Sequence, residues 1–447
     1  MGVDIDAASV ATEVAELLRA ERFDELTELF APRLTAVVSA ETVRAGWSGQ
    51  IAEIGAVRVI GTPATEPSDG ALVAAQVPLT CERGGLVVHL AVDAAGALHG
   101  LRLAAPAESG WTAPDYAAPR RFREREISLG TGDRAVGGTL TMPAGRGPVP
   151  AVVLVASGPA DRDLTTGPNR PFKDLAWGLA GRGVAVLRFD KLTYVHSEFE
   201  SLAGFTMVEE YLPHALAAVE LLREQPRVDP ARVYVVGHSG GGKAAPRIAA
   251  ADPNIAGVAI LAGDTVPLPR SILRAVRHIA AVEPERDLSA VTEGLRDQAA
   301  RTEDPALAAD TPAAELLFGW PASYWLDLRD YEQVSTAAAL NRPLLIIQGG
   351  RDYQVTVDED LALWHAALAD LPGVTISVHP AVDHMLFAGE GPSTPSSYLR
   401  PQHVDAAVVG EIADWLGARP ARASLRERLM NGWSRLRGSD SRADLDG

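Results

Sequence analysis

The feature that most constrains this chain is the junction Val233-Tyr234-Val235-Val236-Gly237-His238-Ser239-Gly240-Gly241-Gly242. The β-branched and aromatic run reads as a strand covered on both faces, and Gly-x-Ser-x-Gly follows it with no spacer. The Ala-rich segment from 241 to 251 then reads as a helix. A strand that turns straight into a helix leaves no room for side chains inside the turn. Its flanking positions therefore call for glycine, and its central residue is forced into a strained conformation. This geometry suits a nucleophile. It would hold Ser239 clear of the sheet edge and aim the Gly240 N–H, at the positive end of the next helix, where negative charge develops.

The rest of the chain supplies the sheet that such a turn needs. Strands are expected at 123–129, 135–142, 151–156, 184–189, 232–236, 256–262, 343–348 and 374–379. Helices are expected at 171–181, 206–225, 241–251, 357–370 and 403–417. Two antiparallel starters followed by a βα series imply a doubly wound, mostly parallel α/β sheet. The segment from about 264 to 335 breaks the rhythm. It is helical in pattern, ends in Phe318, Trp320, Tyr324, Trp325 and Tyr331, and reads as a helical cap insert. Residues 1–104 read as a small α+β domain. Helical stripes run through 8–30, and short strands follow at 57–60, 72–79, 86–92 and 98–103. Residues 105–120 read as a Pro-rich linker, 121–418 as the α/β domain that carries this sheet, and 419–447 as a basic tail. Leu425, Leu429, Trp433 and Leu436 give that tail an amphipathic stripe, which is expected to pack on its own domain or fray rather than to bind a membrane.

A serine hydroxyl needs a base, and the base needs an orienting acid. On this scaffold acid and histidine follow the serine in the chain, in loops at the C-terminal ends of later strands. Strand 343–348 runs into Gln348-Gly349-Gly350-Arg351-Asp352, and strand 374–379 into Pro380-Ala381-Val382-Asp383-His384. Asp352 and His384 are thus the expected partners of Ser239. His238 reads as a packed neighbour, His379 lies at a strand end, and His365 lies in a helix. Asp383 is badly placed to reach the His384 ring, while Asp358 and Asp360 read as acids of a helix's first turn. A second oxyanion donor, besides the Gly240 N–H, is expected from Ser157 or Gly158 in the loop after strand 151–156. Asp161, Arg162 and Asp163 would tie that long loop down.

Composition excludes other classes. Acidic residues number 58 against 41 basic ones, a net charge of −17, which speaks against nucleic acid as the main partner. The single cysteine, Cys81, permits no internal disulfide, zinc ribbon or iron–sulfur cluster. No cofactor or metal is called for. No apolar run approaches the roughly 18 residues of a membrane span, and the N-terminal stretch lacks the basic start of a signal peptide. A cytoplasmic protein is the expectation. Among 41 basic side chains only Lys173, Lys191 and Lys243 are lysines, and all lie in the central region.

These motifs together resemble those of the bacterial α/β-hydrolase esterases related to serine aminopeptidase-like and dienelactone hydrolase-like enzymes. The likeness spans about 120–418 and includes Ser157-Gly158-Pro159-Ala160-Asp161-Arg162-Asp163, Pro171 to Ala176 and Leu187 to Lys191. It continues through Gly237 to Gly242, Gln348 to Val355 and Asp383 to Phe387. The resemblance implies hydrolysis of carboxylic esters of short to medium acyl chains through an acyl-enzyme on Ser239. His384 would serve as base and then acid, with Asp352 orienting it and a small-molecule ester as partner. The same triad would serve a peptidase, aminopeptidase, thioesterase or acyltransferase, and a degenerate hydrolase that binds or senses is a third reading. An aminopeptidase would need acids near its pocket, for which Glu283, Glu285, Asp287, Glu315 and Asp327 are candidates. The chain departs from the pattern in one place: Leu154-Val155-Ala156-Ser157 lacks the further small residue that gives Gly-Ser-Gly or His-Gly-Ser-Gly before the proline, an expectation of an oxyanion loop one residue short.

Overall fold

The computed structural model describes residues 7–67, 72–104, 111–196, 204–284 and 288–417; the C-terminal stripe lies outside them. The N-terminal part is built from helices α1 (Ala7–Arg19), α2 (Phe23–Glu28), α3 (Pro32–Val37) and α4 (Ala40–Ile54). They are followed by strands β1 (Val57–Ile60), β2 (Ala64–Pro67), β3 (Leu72–Cys81), β4 (Gly84–Asp93) and β5 (Leu98–Ala104). The strands form an antiparallel sheet in the order β1-β3-β4-β5, with β2 also paired to β3. Val77 and Leu79 of β3 and Leu86, Val88 and Leu90 of β4 alternate onto one face. There they meet Val10, Val14 and Leu18 of α1 in a common core, while Pro78, Val87 and His89 between them turn to the other, more exposed face.

The second part carries an eight-stranded sheet. Its elements in chain order are β6 (Phe122–Leu129), β7 (Val136–Pro143), β8 (Val149–Val155), α5 (Pro171–Gly181), β9 (Ala185–Phe189), α6 (Leu192–Val195) and α7 (Met207–Arg223). Next come β10 (Val228–His238), α8 (Gly240–Ala251), β11 (Val258–Leu261), α9 (Leu268–Val282), α10 (Ser289–Thr302), α11 (Ala322–Asp330) and α12 (Gln333–Ala339). The series ends with β12 (Leu344–Gly349), α13 (Ala362–Leu368), β13 (Val374–His379) and α14 (Ala406–Trp415). The spatial order is β13-β12-β11-β10-β8-β9-β7-β6. Pairings from β9 through β8 to β13 are parallel, and β6 and β7 join antiparallel at one edge. This is the doubly wound, mostly parallel α/β sheet of the α/β-hydrolase fold.

Winding direction explains where a site can form. The chain leaves β8 through α5 to β9 on one side, then returns through α7 to β10 on the other. The crossovers therefore diverge at the β8/β10 boundary and open a crevice at the carboxyl ends of those strands. Val155 at the end of β8 stands beside Gly237, which pairs on its other side with Ile260 of β11. Both faces of this central region are apolar and covered. Val153, Val155, Val233 and Val235 pack towards α7 and α8, and Val152, Leu154 and Val236 towards α5 and α14. Helices α9 to α12 fill the excursion between β11 and β12, where Leu316, Leu317 and Trp325 form a small core of their own.

Candidate active site

The turn between β10 and α8 has the conformation its sequence demands. Ser239 sits at φ 55°, ψ −122°, a left-handed conformation that a non-glycine residue adopts only when its surroundings impose it. Its N–H donates to the Leu261 carbonyl at 2.9 Å, and its own carbonyl begins α8 by accepting from Lys243. A Cβ on Gly237 would collide with the Gly241 carbonyl, and one on Gly241 with the Val155 carbonyl. The turn is thus packed backbone against backbone, between its own halves and against the end of β8.

Asp352 and His384 meet across the next two strand ends. Asp352 Oδ2 accepts from His384 Nδ1 at 2.8 Å and from the Gln348 amide at 3.1 Å. Its Oδ1 accepts from the N–H groups of Gln354 and Val355 at 2.8 and 2.9 Å. A carboxylate only accepts, so the ring proton of His384 resides on Nδ1 and Nε2 is the basic nitrogen. Both residues are buried, with His384 4% and Asp352 5% exposed. Burial pulls the His384 pKa down. The charge and hydrogen bond of Asp352 outweigh it, and the net shift is upward from the ordinary 6.5.

His238, the residue before Ser239, binds the two loops together. Its Nε2 donates to the His384 carbonyl at 2.7 Å, and the two rings lie 4.9 Å apart. Burial, with the neighbouring His384 second, pushes the His238 pKa down to about 3, so this ring is neutral and holds its hydrogen bond as a donor. Asp383 is occupied elsewhere, accepting from the N–H groups of Met385 and Phe387 at 3.0 and 3.1 Å. Asp360 braces the loop after β11 by accepting from Thr265 and Val266, and His379 pairs with Glu411.

In the loop after β8 the two expected donors differ. Gly158 N–H donates to the Tyr211 hydroxyl at 3.3 Å, so of the two expected donors only Ser157 has an N–H with no acceptor among the described residues. The same hydroxyl lies 2.8 Å from where a Cβ on Gly240 would stand, and the Ser157 Cβ lies 3.4 Å from that point. Tyr211, on α7, therefore bridges the two segments that carry Ser157 and Gly240. Sequence reading missed it, because nothing in the α7 pattern marks a tyrosine that turns out of its helix into the crevice.

The long loop is clamped as its charges suggest. Arg162 binds Asp190 with its main-chain N–H at 2.8 Å and its guanidinium at 2.7 Å, and reaches Glu126 on β6. Arg188 holds Asp163 at 2.7 Å and Glu124 at 2.9 Å. The three lysines have separate tasks. Lys173 lies over the Trp111 ring at 4.4 Å, Lys191 donates to the Glu210 carbonyl at 2.8 Å, and Lys243 pairs with Asp264 at 2.5 Å. The Asp264 charge also contributes, least of the four acidic influences, to raising His384.

A strained serine at the strand–helix turn, with an acid–histidine pair at the following strand ends, defines the class: the chain is an α/β hydrolase. It is 36% identical over 339 residues to Esterase EstD of Thermotoga maritima, spanning 76% of this chain and 78% of that protein. It belongs to the same esterase family. No family model matches the chain. Among solved structures, Est1E from Butyrivibrio proteoclasticus is similar at 16% identity and TM-score 0.42, over 65% of this chain and 98% of that one. An acylaminoacyl peptidase of Pyrococcus horikoshii is similar at 12% identity and TM-score 0.46, over 82% of this chain and 57% of that one. Among the described residues no helix is long and apolar enough to cross a membrane.

Proposed function

We propose that the protein hydrolyses carboxylic esters of short to medium acyl chains through an acyl-enzyme formed on Ser239. His384 Nε2 takes the Ser239 proton as Oγ attacks the ester carbonyl, and returns it to the departing alcohol. Water then enters by the same route in reverse order of roles. Asp352 keeps the ring in the correct tautomer and stabilises the imidazolium. The Gly240 and Ser157 N–H groups receive the oxyanion, and the Tyr211 hydroxyl sets the spacing between them. The helical excursion between β11 and β12 serves as a cap whose aromatic residues bound the acyl site.

The observation that carries this reading is the buried hydrogen bond from His384 to a fully satisfied Asp352, reached from the loop next to the strained Ser239. Kinship with an esterase supports the ester as substrate. The test is the intact mass after a fluorophosphonate is added, with p-nitrophenyl acetate-to-octanoate turnover measured in parallel. Wild type should gain one adduct and favour the shorter chains. Ser239→Ala should gain none and lose several orders of magnitude in kcat while remaining folded. Ester turnover near the wild-type rate in Ser239→Ala would remove Ser239 as nucleophile.

A further inference from the structure

Beside the proposed oxyanion loop lies a recess with room for about one group the size of a water, lined by Gly158, Thr193, Phe205, Glu210, Trp320 and Tyr324. Its single carboxylate is Glu210, which comes from α7 rather than from the cap. Of the acids expected from the cap, Asp327 is taken by Arg247 in a two-pronged pair at 2.8 Å, Glu315 lies on the surface near Arg301, and Glu283 accepts from Ser396. Glu285 and Asp287 lie outside the described residues.

Glu210 is only 2% exposed, and its two oxygens differ. Oε1 accepts from the Thr193 hydroxyl at 3.0 Å and lies 3.5 Å from the Lys191 ammonium. Oε2 is buried with no hydrogen-bond partner among the described residues. Burial pushes the Glu210 carboxyl up, and Lys191 and Thr193 act against it by favouring the carboxylate. A buried carboxylate oxygen without a donor is costly, and a ligand that supplies one gains what the free protein lacks. Trp320 and Tyr324, with ring centroids 4.7 Å apart, and Phe205, stacked on Tyr324 at 6.2 Å, make the remaining wall largely aromatic. The recess adjoins the proposed oxyanion loop, because Glu210 Oε1 occupies the space a Cβ on Gly158 would need and the next residue, Tyr211, holds the Gly158 N–H.

We infer that this recess is a subsite for a hydrogen-bond donor carried on the acyl chain of the substrate, with Glu210 Oε2 as its acceptor. The inference rests on the esterase reading and narrows its substrate class to acyl groups bearing a hydroxyl or a protonated amine near the carbonyl. The two donors make the same contact. Lys191 already balances the Glu210 charge, so a neutral hydroxyl suffices, whereas the aromatic rings also attract an ammonium.

Three benzyl esters of nearly equal shape test this: L-lactate, L-alanine and 2-methylpropanoate, which place OH, NH3+ and CH3 at the same carbon. Wild type should favour at least one donor-bearing ester over 2-methylpropanoate by tenfold or more in kcat/KM, and which one leads identifies the donor. In Glu210→Gln, which turns an amide towards the recess, or Glu210→Asp, which withdraws the carboxylate, that ratio should fall towards one. A wild-type ratio near one overturns the proposal, as does a preference unchanged in a folded Glu210 variant. A loss of turnover shared equally by all three esters makes Glu210 structural and overturns it too. Hydrolysis of none of them, with no fluorophosphonate adduct on Ser239, instead removes the esterase reading itself.

Discussion

Gly240→Ala is the substitution whose effect the structure specifies most closely. Gly240 does not occupy the left-handed region, so alanine is acceptable to the backbone. The conflict lies in the contact: the new Cβ would stand 2.8 Å from the Tyr211 hydroxyl, which holds the Gly158 N–H at 3.3 Å. A carbon and a hydroxyl oxygen need several tenths of an ångström more, so Tyr211 must retreat and release Gly158. Overpacking of this kind costs about 1–3 kcal/mol. If the cost falls on the transition state, kcat drops about 5- to 150-fold at 1.4 kcal/mol per factor of ten, with KM little changed. Tyr211→Phe alone loses the pairing of that hydroxyl with the Gly158 N–H and with the Tyr324 side chain, about 1 kcal/mol each, or roughly 5- to 30-fold in kcat. In the double variant the hydroxyl is gone, and the nearest remaining contact, Ser157 Cβ at 3.4 Å, is tolerable. Introducing Gly240→Ala into the Tyr211→Phe background should then cost less than about threefold, a coupling of roughly 1–2 kcal/mol. The assay is kcat and KM on p-nitrophenyl butyrate for all four proteins, with the fluorophosphonate labelling rate as a second readout. Equal cost of Gly240→Ala in both backgrounds would refute the claim that Tyr211 sets the spacing of the oxyanion donors.

Two further predictions concern the base and the turn. Because Asp352 raises His384 above 6.5, the acid limb of kcat/KM should have its midpoint above that value, since only neutral imidazole accepts the serine proton. Asp352→Asn should move the midpoint down as well as lowering kcat, and a midpoint that rises or stays in place would contradict the assigned charge effect. Gly237→Ala places a methyl group against the main chain of Gly241 and Gly242, which cannot swing aside. A cost above about 3 kcal/mol is expected, visible as a Tm several degrees lower together with lost labelling; wild-type Tm and labelling would show that the turn is looser than described.

Some of this architecture was legible because it is written in local pattern. Continuous apolar runs such as Val152–Val155 and Leu344–Ile347 mark strands covered on both faces, whatever their order in space. Gly237 and Gly241 are glycines because backbone meets backbone there, so the turn and its serine could be placed from sequence alone. That Asp352 and His384 lie in neighbouring loops was legible for the same reason, since each follows a recognisable strand end by a few residues. The charged loop from Asp161 to Asp163 announced that it would need partners.

What the tertiary structure decided is everything that depends on which side chain turns inward from an element with no local reason to do so. Tyr211 and Glu210 are neighbours at the start of α7, which reads as an ordinary amphipathic helix opened by a Thr206 capping box. Their importance arises only where α7 crosses behind β8, bringing the hydroxyl to Gly158 and Gly240 and the carboxylate to Lys191 and Thr193. The Gly158 N–H is taken by a residue 53 positions away, and Asp327, Glu315 and Glu283 are drawn to other partners by how the excursion folds back. Periodicity and glycine placement report contacts within a few residues of each other. Long-range packing alone sets which of many similar polar groups is left buried and unpaired beside the loop after β8.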